Sequence, residues 1–509
     1  MMLFKDLISR NPSLKLKLNN FENKLLLKIS GVTSDSKEVK LGFIFVAIKG
    51  LQYDGSNFIA EARKNGSALI ISDKLIHEDI ITINKGCSRH IYALLSAAYY
   101  KNQPQQIIGV TGTNGKTSVV EFCRQIWDQA GWKAVSIGTL GTRMPENQTL
   151  NESERSKNNL TTFDPSILHK QLNDISKDIS HVAIEASSHG IDQCRLDGVN
   201  FSGAVFTNLS HDHMDYHKTK ENYFSTKKRL FTEILKKNSA VAINIDDPYG
   251  ILLYDEIIKL PLFILTFGKN KKADIMIKSI TQNNNSIHLE IDYNNIIYSS
   301  TIGMIGDFQA YNVIASATIC IALGMDPNFV FKSLSDLLPA PGRMQIVSGH
   351  PKDASIIIDY AHTPEALSST LSSLRQNTKG RIITLFGCGG DRDKLKRKIM
   401  GNIAQQQSNQ VIVTDDNPRN ELSSDIRKEI LLGCPNAIEI PDRNNAIKYA
   451  VSELKKNDLL LIAGKGHESL QVVGNQSLPF NDYNVAKETI NNLINHEAIN
   501  WYLYGQKKN

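Results

Sequence analysis

The sequence predicts three consecutive domains of the α/β class. A chain of 509 residues is long enough for about three domains of ordinary size. Apolar strand-like runs alternate with helical segments along the chain, a pattern typical of mostly parallel sheets covered by helices. Proline and glycine interrupt this alternation near Pro104 and within Leu338–Gly342, so we predict domains at 1–104, 105–338 and 339–509.

Composition indicates an ordinary folded protein. Hydrophobic residues make up 41% and charged residues 22% of the chain, which argues against a disordered or fibrous protein. The net charge is only +6 and no basic run is interleaved with aromatic residues, so nucleic acid is not predicted as a partner. The sequence has no CxxC pair and no apolar stretch of about 18 residues, so we expect a cytoplasmic protein with reduced thiols and no membrane insertion.

The elements follow from short apolar runs and their boundaries. In the first domain, helical spacing over Asn57–Asn65 ends at Gly66, a helix C-cap signal. In the second, an amphipathic helix follows the strand Ile107–Val110 and ends at Gly131. The other predicted strands are Phe43–Ile48, Ala68–Ser72, Lys133–Ile137, His181–Ile184, Gly203–Phe206, Ala240–Asn244, Phe263–Thr266, Ser355–Asp359, Arg381–Phe386, Gln410–Thr414 and Asp458–Ala463.

The segment Gly109–Ser118, GVTGTNGKTS, joins a predicted strand to a predicted helix. Backbone N–H groups of such a loop bind phosphate oxygens, the lysine reaches the terminal phosphates, and the next hydroxyl holds Mg²⁺. Val110 stands where the strict motif has its first glycine, and a glycine-rich turn with a solvated lysine is the alternative. We predict a site for a nucleoside triphosphate and Mg²⁺ built from Gly112, Thr113, Asn114, Gly115, Lys116, Thr117 and Ser118.

The segment Asn208–His217 contains three histidines and two aspartates just after a predicted strand. This composition is typical of metal ligands. It resembles the HxHxD run of metallo-hydrolases, which would bind zinc through His211 and His213, although Tyr216 stands where that run has another histidine. A solvated polar loop is the other alternative.

Two more candidates follow the predicted strand His181–Ile184. Glu185 lies at the carboxyl end of that strand, where folds with a phosphate loop place a carboxylate directed at Mg²⁺. Ser188 beside His189 is compatible with a serine hydrolase, but no GxSxG elbow surrounds it. We predict Glu185 as a metal ligand, with a structural role as the alternative.

In the third domain, polar loops follow the predicted strands at Phe386–Asp393, Asp415–Asn420 and Ala463–Glu468. The first loop lacks the final glycine of GxGxxG, so a dinucleotide site is not predicted. Because the carboxyl ends of parallel strands meet at one sheet edge, the loops predict a second substrate site there. Ordinary turn chemistry is the alternative for each loop.

Taken in order, these motifs resemble those of the Mur ligase family, the ATP-dependent amide-forming enzymes that build the peptidoglycan stem peptide. Within the family, the chain is most similar to the branch that adds meso-2,6-diaminopimelate. The resemblance runs nearly end to end, through Thr33–Lys37, Gly112–Thr117, Glu185–Gly190, Thr207–His213, Gly306–Asn312, Gly342–Met344, Asp359–Pro364 and Gly464–Glu468.

The resemblance implies an N-terminal UDP-binding domain, a central ATP-binding ligase domain and a C-terminal Rossmann-like domain that binds the amino acid. It implies contacts to the UDP-muramoyl-dipeptide from Ser34, Ser36, Leu51, Gln52, Tyr53, Asn159, Thr161, Thr162, Ser187, Gln193 and Arg195. It adds to the ATP site Asn312, Arg343, Asp359 and His362. It assigns to the amino-acid site Arg392, Asp416, Asn417, Pro418, Arg419, Gly464 and Glu468.

The resemblance also implies that Lys227 is carbamylated to N6-carboxylysine. The modified lysine would bind Mg²⁺ together with Thr117, Glu185 and His213, and Lys116, His213 and Lys227 would be catalytic. Without the resemblance, Lys227 is interpreted as a solvated helix lysine.

The implied reaction of this monomeric enzyme starts with ATP and UDP-N-acetylmuramoyl-L-alanyl-D-glutamate. ATP phosphorylates the D-glutamate side-chain carboxylate, and the amine of meso-2,6-diaminopimelate displaces phosphate. Alternatives are L-lysine as the amino acid, a ligase like folylpolyglutamate synthetase, a phosphate-loop kinase or switch, and a metallo-hydrolase that needs no ATP. Departures from the family pattern affect local contacts and stand at Lys37, Phe163, His211 and Gln309.

Overall fold

The computed structural model describes residues 1–509 apart from 51–52, 75–76, 78–79, 85, 145–159, 211, 284–285, 377 and 506–509. Three main sheets alternate with helices and have separate buried cores, which confirms the predicted α/β class with three domains. The chain divides into two compact units; the first is Met1–Met276, Tyr293–Asn295 and Asn312–Ser333, and the second is Ile277–Asp292, Ile296–Tyr311 and Leu334–Asn509. The boundaries at 104 and 338 stay predictions.

The N-terminal sheet is formed by short apolar strands. The strands in this part of the chain are β1 (Met2–Leu3), β2 (Leu18–Asn19), β3 (Lys28–Ile29), β4 (Gly31–Thr33), β5 (Phe43–Val46), β6 (Leu69–Ser72) and β7 (Ile81–Ile83). Strands β1 and β3 pair with each other in a separate two-stranded sheet, and the other five form the N-terminal sheet. The order is β2-β7-β6-β5-β4, with parallel pairing from β4 to β7. The helices are Phe4–Arg10, Pro12–Lys15, Ile59–Lys64 and Ser88–Tyr100, with 3₁₀ turns at Glu22–Lys24, Ser36–Glu38 and Gly55–Phe58.

The central sheet carries the phosphate loop. Its strands in the first unit are β8 (Gln106–Thr111), β9 (Ala134–Gly138), β10 (Gly141–Arg143), β11 (His181–Glu185), β12 (Gly203–Phe206), β13 (Ala240–Asn244) and β14 (Phe263–Gly268). The order is β10-β9-β11-β8-β12-β13-β14, and only β10 pairs antiparallel among these strands. The carboxyl ends of β8, β11 and β12 therefore lie side by side.

The helix Lys116–Gln129 covers β8, β9 and β11 with its buried apolar face. The helices in this part of the chain are Lys116–Gln129, Pro165–Ile175, Ser188–Asp192, Met214–His217, Lys220–Arg229, Pro248–Ile257, Asp307–Ala322 and Pro327–Ser333, with a π-helical turn at Leu230–Ile234.

Three strands that we did not predict are β15 (Ile275–Asn283), β16 (Ser286–Tyr293) and β17 (Ile296–Ile302). Burial along β16 alternates, with Ile287, Leu289 and Ile291 fully buried between less buried polar residues. Such one-faced strands lack the continuous apolar run from which the other strands were predicted.

The third sheet has its polar loops at one edge. Its strands, followed by those of a separate hairpin, are β18 (Gln345–Ile346), β19 (Ser355–Asp359), β20 (Ile382–Phe386), β21 (Gln410–Val413), β22 (Ile438–Glu439), β23 (Leu459–Ala463), β24 (Leu470–Val473) and β25 (Gln476–Pro479). The sheet order is β18-β19-β23-β20-β21-β22, parallel from β19 to β22. The helices are Pro364–Arg375, Leu395–Gln407, Ser423–Leu431, Arg443–Ser452 and Asp482–Gly505, with a 3₁₀ turn at Leu334–Asp336.

Two predictions from composition can be compared with the fold. All six cysteines are free, and four of them are buried. Within the described ranges, no helix combines the length and the apolar content that crossing a bilayer requires.

Candidate active site

The phosphate loop between β8 and the helix Lys116–Gln129 has a shape that only glycine permits. Gly112 has φ +148°, and a Cβ atom there would lie 1.9 Å from Thr207 Oγ1. Gly115 caps the helix with φ +87°, and a Cβ atom there would lie 2.2 Å from Asn312 Oδ1. These approaches explain why glycine occupies both positions, and they confirm the predicted strand–loop–helix geometry.

The loop is braced from the carboxyl end of β12. Thr113 N donates to Asn208 O at 2.8 Å, and Asn114 N donates to Asn208 Oδ1 at 3.0 Å. Thr207 Oγ1 donates to Asn114 O at 2.6 Å. We did not predict Asn208 as a site residue, although its position directly after a strand of the same sheet edge was the available signal.

Two ammonium groups meet at one carbonyl of this loop. Lys116 Nζ donates to Gly112 O at 3.0 Å and to Thr113 O at 2.8 Å, while Lys227 Nζ donates to Gly112 O at 2.8 Å. Lys227 is 1% exposed and its Nζ lies 4.4 Å from the centroid of the Tyr223 ring. The interpretation of Lys227 as a solvated helix lysine is therefore wrong.

Burial changes the chemistry of Lys227. Desolvation and the nearby charge of Lys116 hold the pKa of Lys227 well below its ordinary value, against a smaller opposing effect of Asp212. A lower pKa increases the fraction of the neutral amine, which is the nucleophilic form.

Glu185 is a buried carboxylate at the end of β11. It is 1% exposed, accepts from Thr139 N at 2.8 Å and from Thr139 Oγ1 at 3.1 Å, and a Cβ atom on Gly138 would lie 2.3 Å from its Oε1. Among the residues that the structure describes, no cationic side chain pairs with it. A buried carboxylate held only by neutral donors can accept a metal cation. Thr139 was not predicted.

The other predicted metal ligands lie on neighbouring segments. Thr117 is buried in the first turn of its helix. His213 has a left-handed backbone, its Nε2 lies 3.5 Å from Asp212 Oδ2, and its ring centroid lies 4.8 Å from that of His189. His211 lies outside the described residues, and among those described no group of three or more His, Cys, Asp or Glu side chains could hold a metal.

The predicted dipeptide contacts gather beside Glu185. Thr162 Oγ1 donates to Glu185 O at 2.7 Å and lies 2.9 Å from Ser187 Oγ. Arg195 donates to Thr162 O at 2.8 Å and to Gln193 Oε1 at 2.7 Å. Nearby, Thr139 Oγ1 lies 3.3 Å from Thr161 Oγ1. The structure thus brings these predicted residues onto one surface, whereas Asn159 lies outside the described residues.

The predicted UDP contacts are more scattered. Ser36 is buried and its Oγ donates to Glu61 Oε2 at 2.5 Å, so this hydroxyl already has a partner, in the helix Ile59–Lys64. Ser34 is half-buried, and Tyr53 is exposed with its ring edge against Phe58. Leu51 and Gln52 lie outside the described residues.

In the second unit, three predicted ATP contacts lie next to Tyr360, at the carboxyl end of β19. The Arg343 guanidinium carbon lies 4.5 Å from the centroid of the Tyr360 ring, and His362 Nδ1 lies 2.8 Å from Tyr360 O. Asp359 accepts from Met344 N and from Thr370 Oγ1, both at 3.0 Å. Burial raises the pKa of Asp359, against the opposing charge of Arg343. Asn312, the fourth contact, belongs to the first unit.

The predicted amino-acid contacts meet at the same edge of the third sheet. Asn417 Nδ2 donates to Glu468 Oε2 at 2.8 Å, and a Cβ atom on Gly464 would lie 2.9 Å from Asp416 Oδ2. Arg419 has φ +50° and donates to Gly390 O at 2.8 Å. Pro418 lies between these loop residues and Arg392 is exposed.

Arg419 is not neutralised by a nearby glutamate. Glu421 instead accepts from Arg397 through both of its oxygens at 3.0 Å and lies 3.3 Å from Lys394. In the described part of the chain, no carboxylate forms an ion pair with Arg419. Its guanidinium therefore keeps donors for an anionic ligand.

One side chain in this pocket was not predicted. Lys465 is fully buried and bonds with Asn417 and Glu468. Its neighbours Gly464 and Gly466 indicate a turn, and no local pattern indicates a buried charge. Arg443 and Asp482 form a fully buried ion pair that was not predicted either.

Comparisons with known proteins show which family the chain resembles. Three family models match successive parts of the chain: "Mur ligase family, catalytic domain" at residues 28–104, "Mur ligase middle domain" at 110–320, and "Mur ligase, glutamate ligase domain" at 342–466.

Curated relatives match most of the chain. The UDP-N-acetylmuramoyl-L-alanyl-D-glutamate--2,6-diaminopimelate ligase of Brucella melitensis biotype 1 is 42% identical over 461 residues, which cover 90% of this chain and 93% of the relative. The ligase of the same name from Agrobacterium fabrum is 40% identical over 465 residues, covering 91% and 94%.

Solved structures are similar over the same length. A structure of a UDP-N-acetylmuramoyl-L-alanyl-D-glutamate--2,6-diaminopimelate ligase has a TM-score of 0.68 at 29% identity and covers 97% of this chain and 99% of its own. A MurF ligase from Thermotoga maritima, in complex with ADP, has a TM-score of 0.60 at 20% identity and covers 91% and 96%. Identity of 42% and 40% to the two curated ligases, along about nine-tenths of the sequence, means that the chain belongs to the Mur ligase family.

Proposed function

We propose that this chain is an ATP-dependent ligase that joins meso-2,6-diaminopimelate to the D-glutamate of UDP-N-acetylmuramoyl-L-alanyl-D-glutamate, releasing ADP and phosphate. Relatives named for this reaction are 42% and 40% identical over about nine-tenths of the chain. The observation that carries the proposal is the phosphate loop, in which Gly112 and Gly115 have positive φ and Lys116 Nζ donates to Gly112 O at 3.0 Å at the start of a helix. A glycine-rich loop, a helix N-terminus and the Lys116 charge together favour a highly charged anion such as ATP.

The ATP phosphates bind along the phosphate loop. The backbone N–H groups at the start of the helix Lys116–Gln129 point toward them, and Lys116 compensates the charge that gathers during transfer. Asn312 lies against Gly115, and the resemblance to the family assigns it a contact with the nucleoside. The resemblance to the family also assigns contacts with ATP to Arg343, Asp359 and His362.

The residues present fit a magnesium site. Glu185 is a buried carboxylate without a cationic partner among the described residues, and Thr117 contributes a hydroxyl. Both offer the oxygen ligands that Mg²⁺ prefers, and His213 and the carbamate of Lys227 would complete the set. When bound, Mg²⁺ supplies charge neutralisation for the transferred phosphoryl group.

The environment of Lys227 is suited to carbamylation. A neutral amine adds to the carbon of CO₂, an N–C bond forms, and one proton is released to solvent. The product is an anion, which removes the repulsion between Lys227 and Lys116 and makes an oxygen ligand. The lowered pKa of Lys227 supports this step because it increases the neutral form.

Ligation then proceeds in two transfers. The side-chain carboxylate of D-glutamate, held near Thr162 and Arg195, attacks the γ-phosphorus of ATP, and ADP leaves. The resulting acyl phosphate is attacked at carbon by the neutral amine of the amino acid, phosphate leaves, and the amine proton is lost. Exclusion of water from this surface protects the acyl phosphate.

The choice of amino acid depends on its far end. Diaminopimelate differs from L-lysine by one carboxylate there, and a guanidinium can hold it by two parallel charge-assisted hydrogen bonds. Arg419 has no carboxylate partner in the described chain, and Glu468 can receive the distal ammonium. These contacts favour diaminopimelate over the alternative, L-lysine.

We also propose that the enzyme works as a cytoplasmic monomer that binds neither nucleic acid nor membrane. Two of its substrates, ATP and the UDP-linked dipeptide, are phosphorylated small molecules, and the third is a charged amino acid.

The test is release of phosphate with ATP, the UDP-muramoyl-dipeptide and a panel of amino acids. We expect release that requires both the dipeptide and meso-diaminopimelate, with ADP formed in equal amount. ATP hydrolysis that is independent of the amino acid, or turnover without ATP, would refute the proposal.

A further inference from the structure

Lys465 is a fully buried ammonium in the loop after β23. Its side chain is 0% exposed, and a lysine charge is costly to bury unless its N–H groups find acceptors. An ammonium has three N–H donors, and Lys465 Nζ donates to Asn417 Oδ1 at 3.0 Å, Glu468 Oε2 at 2.9 Å and Leu470 O at 2.8 Å. Three acceptors, one from the loop after β21 and two from the residues that follow Lys465, therefore satisfy one buried charge.

Two of these acceptors are candidate contacts to the amino acid. Asn417 Nδ2 also donates to Glu468 Oε2 at 2.8 Å, so the lysine, the amide and the carboxylate form a closed triangle. The Glu468 side chain is 31% exposed. One side of this carboxylate is thus held by Lys465 and Asn417, while the rest of it is accessible to a ligand.

The third acceptor, Leu470 O, belongs to the hairpin β24–β25. Further bonds connect this hairpin to the pocket. Val472 N donates to Asn417 Oδ1 at 2.9 Å, Arg419 N donates to Val472 O at 3.1 Å, and Gly474 N donates to Arg419 O at 2.8 Å. These bonds hold Arg419 at φ +50°, which side-chain-bearing residues rarely adopt. The hairpin therefore fixes the backbone from which the Arg419 side chain extends.

We propose that Lys465 is a positioning residue for the amino-acid substrate, because it fixes Asn417 and Glu468 directly and Arg419 through the hairpin. The inference rests on the proposed function, in which this pocket binds meso-diaminopimelate. Lys465 does not touch the substrate, since its three donors are occupied. A ligand with charges at both ends requires the Glu468 anion and the Arg419 cation at a fixed separation, and a preset separation reduces the entropy lost on binding.

The first experiment measures the KM of each substrate in Lys465→Met, which removes the ammonium and keeps a long apolar side chain. We expect the KM for diaminopimelate to rise about tenfold or more, because the anion and amide lose their common donor. The KM for ATP and for the dipeptide should stay within about twofold of wild type. Lys487→Met is the matched control, because Lys487 donates to a single carbonyl, Ser348 O at 3.0 Å, in the same domain. An unchanged KM for diaminopimelate in a folded Lys465→Met would overturn the inference.

A double mutant separates positioning from general destabilisation. If Lys465 acts through Glu468, Lys465→Met combined with Glu468→Gln should raise the KM for diaminopimelate no more than the larger single change. Effects that multiply would indicate two independent contributions and would contradict the inference.

Gln471→Met provides a second test of the inference if Lys465→Met does not fold. Gln471 Nε2 donates to Asp416 O at 2.7 Å, so this change loosens the hairpin without removing a buried charge. We expect a rise of about threefold in the KM for diaminopimelate alone. Absence of diaminopimelate turnover in the wild type would overturn the proposed function together with this inference. Wild-type turnover with an unchanged KM in the folded variants would overturn the inference alone.

Discussion

The phosphate loop of the first unit and the amino-acid pocket of the second unit are held in shape by different kinds of contact. The loop depends on backbone geometry, with Gly112 and Gly115 at positive φ and Asn208 bonded to the loop N–H groups. The pocket depends on side chains, with Lys465 bonded to Asn417 and Glu468.

This difference teaches which parts of a site tolerate change. A backbone cradle recognises phosphate, a group common to every nucleotide, and glycine is required wherever a Cβ atom would collide. A side-chain pocket recognises one amino acid, and each of its contacts can be altered separately. We therefore expect changes in the loop to abolish turnover and changes in the pocket to shift the choice of amino acid.

The largest effect should come from Lys227→Ala. It removes the amine needed for the carbamate, so ligation should fall to background, and added bicarbonate should not restore it. Lys228→Ala is the matched control, because Lys228 lies one residue farther on and pairs at the surface with Glu256. Phosphate release measures both, and wild-type activity in Lys227→Ala would refute its assigned role.

Gly112→Ala tests the backbone side of the comparison. A Cβ atom 1.9 Å from Thr207 Oγ1 must displace the loop or β12, and a misplacement of about 1 Å can cost about a hundredfold in rate. We expect kcat to fall at least about a hundredfold. The control is Gly131→Ala, which also has a positive φ but meets nothing within 4 Å; it should lose stability and keep its rate. Equal kinetic losses in both variants would contradict this account.

The difference between backbone geometry and side-chain contacts also explains how much of each region could be predicted from the sequence. Glycine spacing at a strand–helix junction reveals a phosphate loop directly, and Glu185 follows from its place after a strand. The roles of Thr139, Asn208 and Lys465 depend on segments distant in sequence that meet only in the folded chain.

Resemblance to a family also implied a role for Lys227, which no local feature of the sequence distinguishes from a solvated helix lysine. The missed strand β16 has alternating burial in place of an apolar run. Local patterns therefore predicted most of the parallel strands, although not the short ones β4, β7 and β22. Long-range side-chain bonds could not be predicted.

Arg419→Ala sharpens the pocket side of the comparison. Loss of a guanidinium that binds a desolvated carboxylate should cost about 2–5 kcal/mol, or about thirtyfold or more in kcat/KM for diaminopimelate. L-lysine lacks that carboxylate, so its kcat/KM should change far less. Steady-state kinetics with both amino acids measure this, and parallel losses for the two would indicate a structural defect.

The smallest effect concerns stability of the first unit in acid. Burial lowers the pKa of His169 from 6.5 to about 4, so below pH 6.5 the unfolded chain binds more protons than the folded chain. Stability should be constant above that pH and decline by about 3 kcal/mol as the pH falls toward 4. His169→Gln should remove this contribution to the decline, while His181, whose pKa burial also lowers to about 4, keeps its own contribution. His288→Gln, in the second unit, should leave the decline unchanged.

Urea unfolding followed by tryptophan fluorescence measures the decline, because Trp127 and Trp132 both lie in the first unit. An equal acid-side slope in wild type and His169→Gln would show that His169 does not couple to folding.

The central claim is that the phosphate loop drives ligation while the Arg419 pocket selects the amino acid. A competition measures this most directly: wild-type enzyme, ATP and the UDP-muramoyl-dipeptide are mixed with equal concentrations of meso-diaminopimelate and L-lysine, and the product is identified by mass. We predict a product that carries diaminopimelate almost exclusively in the wild type, and a much larger share of the lysine product in Arg419→Ala. Comparable amounts of both products from the wild type would contradict the account.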